Sequence, residues 1–187
     1  MNDKEKDFYR ALYEVAKVIN SSLEPEILFK KIAESVTSAM KVKGVSIRLL
    51  DSPGKRLLLA ASHGLSKGYL RKGPVEVGKS GIDQEALAGR VVAIQDVRTD
   101  PRFQYHEQAK DEGIISVLVV PLRVDDRTIG VLRVYTPEYR DFAPDEMDFV
   151  TAIANLSAIA IENAHLHQAL KRDYELLADF EYRLFND

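Results

Sequence analysis

The sequence predicts an α+β domain with antiparallel strands in its middle and long helices at both ends. Apolar residues near both termini recur at spacings of three and four, the period of an amphipathic helix. Between them the apolar residues alternate along runs joined by short polar turns, as expected of half-buried strands in hairpins. After Pro144 the chain holds neither Gly nor Pro, so one uninterrupted helix is expected as far as Phe185.

Phe8, Leu12, Val15 and Ile19 draw one stripe along a first helix. Ser21, Ser22 and Leu23 break it, Pro25 suits the first turn of a second helix, and Leu28, Phe29, Ile32, Val36 and Met40 line that helix. Gly44 stops it. Residues 45–50 and 57–62 then read as two strands joined by the turn Asp51-Ser52-Pro53-Gly54. A short strand at 75–77, a helix at 82–88 and a strand at 91–94 follow. Residues 98–113 show no clean period and are read as a binding loop with one helical turn. The strongest strands are 114–124 and 129–135, a hairpin closed at residues 125–128. In the last helix Phe149, Ala152, Leu156, Ile159, Asn163, Leu166, Leu170, Asp173, Leu177, Phe180 and Leu184 alternate in steps of three and four, a heptad seam with two polar interruptions. Val150, Ile153, Ala154, Ser157, Ala160, Ile161 and Ala164 form a second stripe, suited to covering the sheet. The expected division is an N-terminal helix at 1–22, a central domain at 23–164 and a helical extension at 165–187.

The 187 residues, 45% of them hydrophobic, are enough for one core without covalent staples. The lack of cysteine excludes disulfides, Cys-ligated zinc, thiolate nucleophiles and thioether-linked chromophores. The net charge of −3 gives no overall attraction to nucleic acid. The acidity is concentrated at the end, where residues 145–187 carry nine acidic and three basic groups. No stretch reads as approaching the roughly 20 apolar residues that cross a bilayer, and residues 1–7 are charged where a signal peptide turns apolar. A cytoplasmic protein with no nucleic-acid or membrane partner is expected.

Several stretches resemble the GAF domain, a family of small-molecule sensory domains. They are Ser62-His63-Gly64-Leu65; residues 91–97 followed by Asp100-Pro101-Arg102-Phe103; residues 113–122; Ile129-Gly130-Val131-Leu132; and Phe142-Ala143-Pro144-Asp145-Glu146 leading into residues 158–164. They occur in the family's order over about residues 8–170. The resemblance implies a six-stranded antiparallel sheet with the N- and C-terminal helices on one face and a ligand pocket on the other. It also implies a non-catalytic sensory or dimerising module coupled to an output domain, and the heptad seam predicts a homodimer through the terminal helices. The output domain would be a kinase, cyclase or transcription regulator, fused or separate. Fold membership does not choose a ligand.

The residues narrow that choice. The family's cyclic-nucleotide subgroup carries an Asn-Lys pair that residues 136–140 lack. His165 and His167 are two apart on a helix and face different ways, so no metal site is expected. No nucleophile lies at suggestive spacing from a base, so no catalytic residue is named. Arg48 and Arg133 stand out as charges inside strands that the family places side by side. If both face the pocket they suit a small anionic, partly apolar ligand, with His63, Tyr105, His106 or Tyr135 orienting it. The competing expectation pairs the arginines with Asp51, Asp96 or Asp100. Asp96 and Asp100, in turn, are expected to hold turns through side-chain to backbone bonds. The dimer interface is assigned to Leu12, Val15, Leu156, Ile159, Asn163, Leu166, Leu170 and Leu177. No cofactor is required. A structural dimerisation domain without ligand, and a haem or cyclic-nucleotide sensor, are the alternative functions.

Overall fold

A computed structural model describes the backbone of residues 2–21 and 24–186, and the side chains of 2–19 and 24–178. Helices α1 (Asp3–Ser21) and α2 (Pro25–Met40) lead into strands β1 (Gly44–Leu50) and β2 (Arg56–His63). Helix α3 (Lys67–Leu70), strand β3 (Val75–Glu76), helix α4 (Gly81–Leu87), strand β4 (Val92–Ile94) and helix α5 (His106–Glu112) form the irregular middle. The hairpin β5 (Ser116–Val124) and β6 (Arg127–Thr136) precedes helix α6 (Pro144–Asn186). The six strands form one sheet in the order β3-β2-β1-β6-β5-β4, every neighbouring pair antiparallel.

The pleat sorts the side chains between two cores. Val45 and Ile47 of β1, Leu118, Val120 and Leu122 of β5, and Leu132 and Val134 of β6 point to the helices α1, α2 and α6. Their neighbours Val117, Val119, Val131 and Tyr135 point the other way, into a second core closed by α3, α4 and residues 97–114. Two close backbone approaches hold the centre of the sheet together. A Cβ on Gly130 would stand 2.2 Å from the Arg48 carbonyl oxygen, and one on Gly64, whose φ is +76°, would stand 2.2 Å from that of Lys43. Any side chain there pushes β6 or the end of β2 away from β1.

Pro25 opens α2, whose buried face comprises Leu28, Phe29, Ile32, Ala33, Val36, Ala39 and Met40. Phe8 of α1 stacks on Phe149 of α6, ring centroids 4.1 Å apart. Val15 is buried in this same core, so it is not available for the dimer interface assigned to it. The reason is that α1 turns its stripe Phe8, Ala11 and Val15 onto its own domain, leaving Tyr9 and Tyr13 outward. Leu12 is partly buried against this core.

Helix α6 has 43 residues and is about 65 Å long. Its stripe Val150, Ile153, Ala154, Ser157, Ala160, Ile161 and Ala164 is buried on the sheet. From His165 to Ala178 every residue is exposed. Of the heptad seam, Phe149 is buried, Leu156 half-buried, and Ile159, Asn163, Leu166, Leu170 and Leu177 are exposed; the side chains of Phe180 and Leu184 lie outside the described residues. Within Pro144–Ala178 lies a stretch long and apolar enough to cross a membrane by length and composition, which the sequence reading passed over. Half of it is buried in this fold, because its small and aliphatic residues are the ones that cover the sheet.

Candidate functional site

The second core, on the sheet face away from the terminal helices, contains a cluster of polar groups. β1 turns Ser46 and Arg48 to this face, and β6 turns Arg133 and Tyr135. Ser46 lies opposite Arg133 in the ladder, two residues from Arg48 and so on the same face of β1, which brings the two guanidiniums onto one face. Both arginines are at most 2% exposed.

They are satisfied differently. Arg133 forms a two-pronged ion pair with Asp83 of α4, its Nε donating to Oδ1 at 3.2 Å and its Nη2 to Oδ2. Ser80 donates a further hydrogen bond to Asp83 Oδ2 at 2.5 Å. Burial alone would lower the proton affinity of Arg133, but the adjacent Asp83 carboxylate raises it above the ordinary arginine value. The partner is therefore Asp83 rather than Asp51, Asp96 or Asp100. Those three bind Arg56, Arg98 and Arg102, and Asp96 and Asp100 also accept from the backbone N–H of Arg98 and Arg102, each at 2.9 Å.

Among the described residues Arg48 has no carboxylate partner: its Nη1 donates to the Leu57 carbonyl at 3.2 Å, and its Nε is buried without a hydrogen bond. Two more buried donors lack a well-formed hydrogen bond, the Tyr69 hydroxyl, which interacts with the side chain of Tyr135, and the Lys72 amine. Tyr69 of α3 meets Tyr135 edge-on, ring centroids 5.9 Å apart, and Lys72 Nζ lies 3.1 Å from the Tyr69 ring centroid. Burial, with Arg133 and Arg48 adding repulsion, pushes the Lys72 amine down to about 5. Burial also raises the Tyr69 hydroxyl and lowers Arg48 from their ordinary values. The cluster thus sets two arginines against the carboxylate of Asp83, with Lys72 beside them as the neutral amine, and among the described residues it contains three buried donors without a well-formed hydrogen bond.

The residues named from the sequence fall in three places. Arg48, Arg133 and Tyr135 come together in the cluster, where the Tyr135 hydroxyl lies 3.0 Å from Ser46 Oγ. Tyr105 stands at its edge, its hydroxyl donating to the Pro74 carbonyl at 2.7 Å and its ring 5.2 Å from Lys72 Nζ. His106 opens α5, with Nε2 2.9 Å from the Asp100 carbonyl oxygen and its ring against Phe103. His63 does not belong to this site. It pairs with Val45 and so faces the helical layer, where it lines an open groove of about 520 Å³ between α1 and α2. Its place at a strand end left its facing undecided until the ladder register was known. His165 and His167 are exposed on α6, and no three His, Asp or Glu side chains gather as a metal site among the described residues.

Sequence reasoning missed Asp83, Tyr69, Lys72 and Ser80. An acid in the first turn of α4 reads as an ordinary helix-start residue. Only its place between Ile82 and Ala86, both buried, hinted that it turns inward.

A family model described as the GAF domain matches residues 24–161. The Nif-specific regulatory protein of Azorhizobium caulinodans is 25% identical over 181 residues, covering 92% of this chain and 28% of that protein. The formate hydrogenlyase transcriptional activator of Escherichia coli is 24% identical over 181 residues, covering 94% of this chain and 26% of that one. The chain therefore spans about a quarter of the length of these curated relatives. Among solved structures, the GAF domain of the Acinetobacter phosphoenolpyruvate-protein phosphotransferase is 26% identical with a TM-score of 0.73, covering 89% of this chain and 97% of that one.

Proposed function

This chain belongs to the GAF domain family, and on that premise we propose that it is a non-catalytic, cytoplasmic sensory module that binds a small anion beside Arg48 and passes the event to a dimer built on α6. Its relatives include transcriptional regulators, which supports a signalling role and a transcription-regulating output domain. The observation that carries the anion is the trio of buried donors without a well-formed hydrogen bond, Arg48 Nε, Tyr69 OH and Lys72 Nζ, in a cluster where the charge of Arg48 has no counter-charge. Buried polar groups are nearly always satisfied, so such a group signals a missing acceptor. A negative oxygen supplies both the charge and the lone pairs.

The dimer reading rests on Ile159, Leu166, Leu170, Tyr174 and Leu177, all more than half exposed on α6. A ligand shifts the pairing of two copies only by its differential affinity for the two arrangements. The test is a thermal-shift screen of small anions against the wild type and Arg48→Gln. Ligands that stabilise the wild type and not the variant support the reading. If no anion stabilises the wild type, or hits stabilise both chains equally, the site is structural and the ligand-free dimerisation role replaces it.

A further inference from the structure

The three donors come from different parts of the fold. Arg48 is fixed in the middle of β1, whereas Tyr69 and Lys72 sit on residues 66–74, the crossing from β2 to β3 by way of the four-residue α3. Polar contacts attach this segment at its two ends. At one end the Glu112 carboxylate accepts from the backbone N–H of Ser66 at 2.9 Å and from its hydroxyl; at the other the Tyr105 hydroxyl holds the Pro74 carbonyl. Its middle carries Tyr69 and Lys72, both within electrostatic reach of the two guanidiniums.

The groups facing Lys72 are Arg48 from β1, Arg133 from β6, Asp83 from α4, Glu112 from α5, and the rings of Tyr69 and Tyr105. Asp83 is committed to Arg133, and Glu112 to Ser66 and to Lys43 at 3.6 Å. Arg48 and Lys72 are left as two basic groups without an anion between them. We propose, resting on the anion-binding reading above, that the ligand is a small carboxylate clamped between Arg48 on the sheet and Tyr69 and Lys72 on residues 66–74.

Shape and charge favour a carboxylate. The guanidinium edge of Arg48 suits a planar carboxylate. In the free protein Asp83 neutralises Arg133 and the Lys72 amine is neutral, so Arg48 is the charge left without a counter-charge. A singly charged carboxylate matches it, whereas a phosphate dianion brings a second charge to desolvate against the tyrosine rings. The clamp also couples binding to protonation. Without an anion the neighbouring arginines and burial keep the Lys72 amine neutral at pH 7, and a carboxylate at contact distance draws a proton from solvent onto it. Binding therefore closes residues 66–74 with a charge-assisted bond that the free protein lacks.

Isothermal titration of the 187-residue chain at pH 7 tests this, with acetate, succinate and inorganic phosphate as probes in two buffers of different ionisation enthalpy. The wild type is expected to bind a carboxylate in preference to phosphate, with net proton uptake. Lys72→Met should weaken binding about tenfold or more and abolish the uptake, while Lys72→Arg, whose charge is permanent, should bind without it. Thermal melts establish that each variant is folded, and Lys72→Arg alone decides the proton linkage if Lys72→Met does not fold. Carboxylate binding that Arg48→Gln removes, but that Lys72→Met leaves unchanged in affinity and proton count, overturns the clamp and keeps the anion site. Preference for phosphate overturns the ligand class. Binding of none of the probes overturns the clamp and counts against the anion reading itself.

Discussion

Replacing Asp83 with alanine is the sharpest perturbation of the cluster. The side chain is fully buried, it neutralises Arg133 through two hydrogen bonds, and it accepts a third from Ser80. Removing one member of a buried ion pair costs about 3–5 kcal/mol, because the other charge is stranded. The orphaned Ser80 hydroxyl adds about 1 kcal/mol. A loss of about 4–6 kcal/mol is comparable with the entire stability of many domains, so Asp83→Ala should be largely unfolded or melt far below the wild type. Replacing both partners, Asp83→Ala with Arg133→Met, leaves no stranded charge and should recover much of the loss. Urea denaturation followed by far-UV circular dichroism, run as a double-mutant cycle, measures the coupling. The reasoning fails if Asp83→Ala unfolds within about 1 kcal/mol of the wild type, or if the two single losses simply add in the double variant.

The other expectations follow from packing and charge. Gly130→Ala drives a Cβ to 2.2 Å from the Arg48 carbonyl oxygen and should cost about 3 kcal/mol in urea melts, a loss that Gly54→Ala, with open space around it but φ at +70°, should fall short of. Leu166→Asp should leave the melt unchanged while shifting sedimentation from dimer to monomer, whereas Val15→Asp should unfold the domain; a wild type that sediments as a monomer at micromolar concentrations would sink the dimer. Lys72 is held at about 5 in the folded chain against an ordinary 10.5, so between those values the unfolded chain binds the extra proton. Stability should therefore rise with pH through that window, by up to about 1.4 kcal/mol per unit, and the rise from pH 7 to 9 should be smaller by up to about 2.7 kcal/mol in Lys72→Met. Equal slopes in the two proteins would show that Lys72 is charged and solvated in the fold.

The elements were legible because their signals are local. The stripe from Phe8 to Val15, Pro25 at the head of α2, the turn after Leu50 and the alternation in β5 and β6 each lie within a few residues of one another. The alternation in β1 and β6 also told which residues share a face with Arg48 and which with Arg133. His63 failed that kind of reading because it ends a strand that carries a bulge: Ile47 pairs with Ala61 but Arg48 with Leu59, so parity along β2 is interrupted at Ala60. Val15 failed for another reason. An amphipathic stripe says that a face is buried but not whether its own domain or a second copy covers it.

From the sequence alone follow the α+β class, the helical ends, the exclusion of cysteine chemistry and the placement of two arginines inside strands. Each depends on residue type or on short-range periodicity. Tertiary structure decided which carboxylate pairs with Arg133, that Arg48 has a donor left over, and that Tyr69 and Lys72 close over it. Those facts depend on contacts between residues as far apart as Asp83 and Arg133, or Arg48 and Lys72, which no local pattern encodes. A buried charge is defined by what surrounds it, and only the folded chain brings those surroundings together.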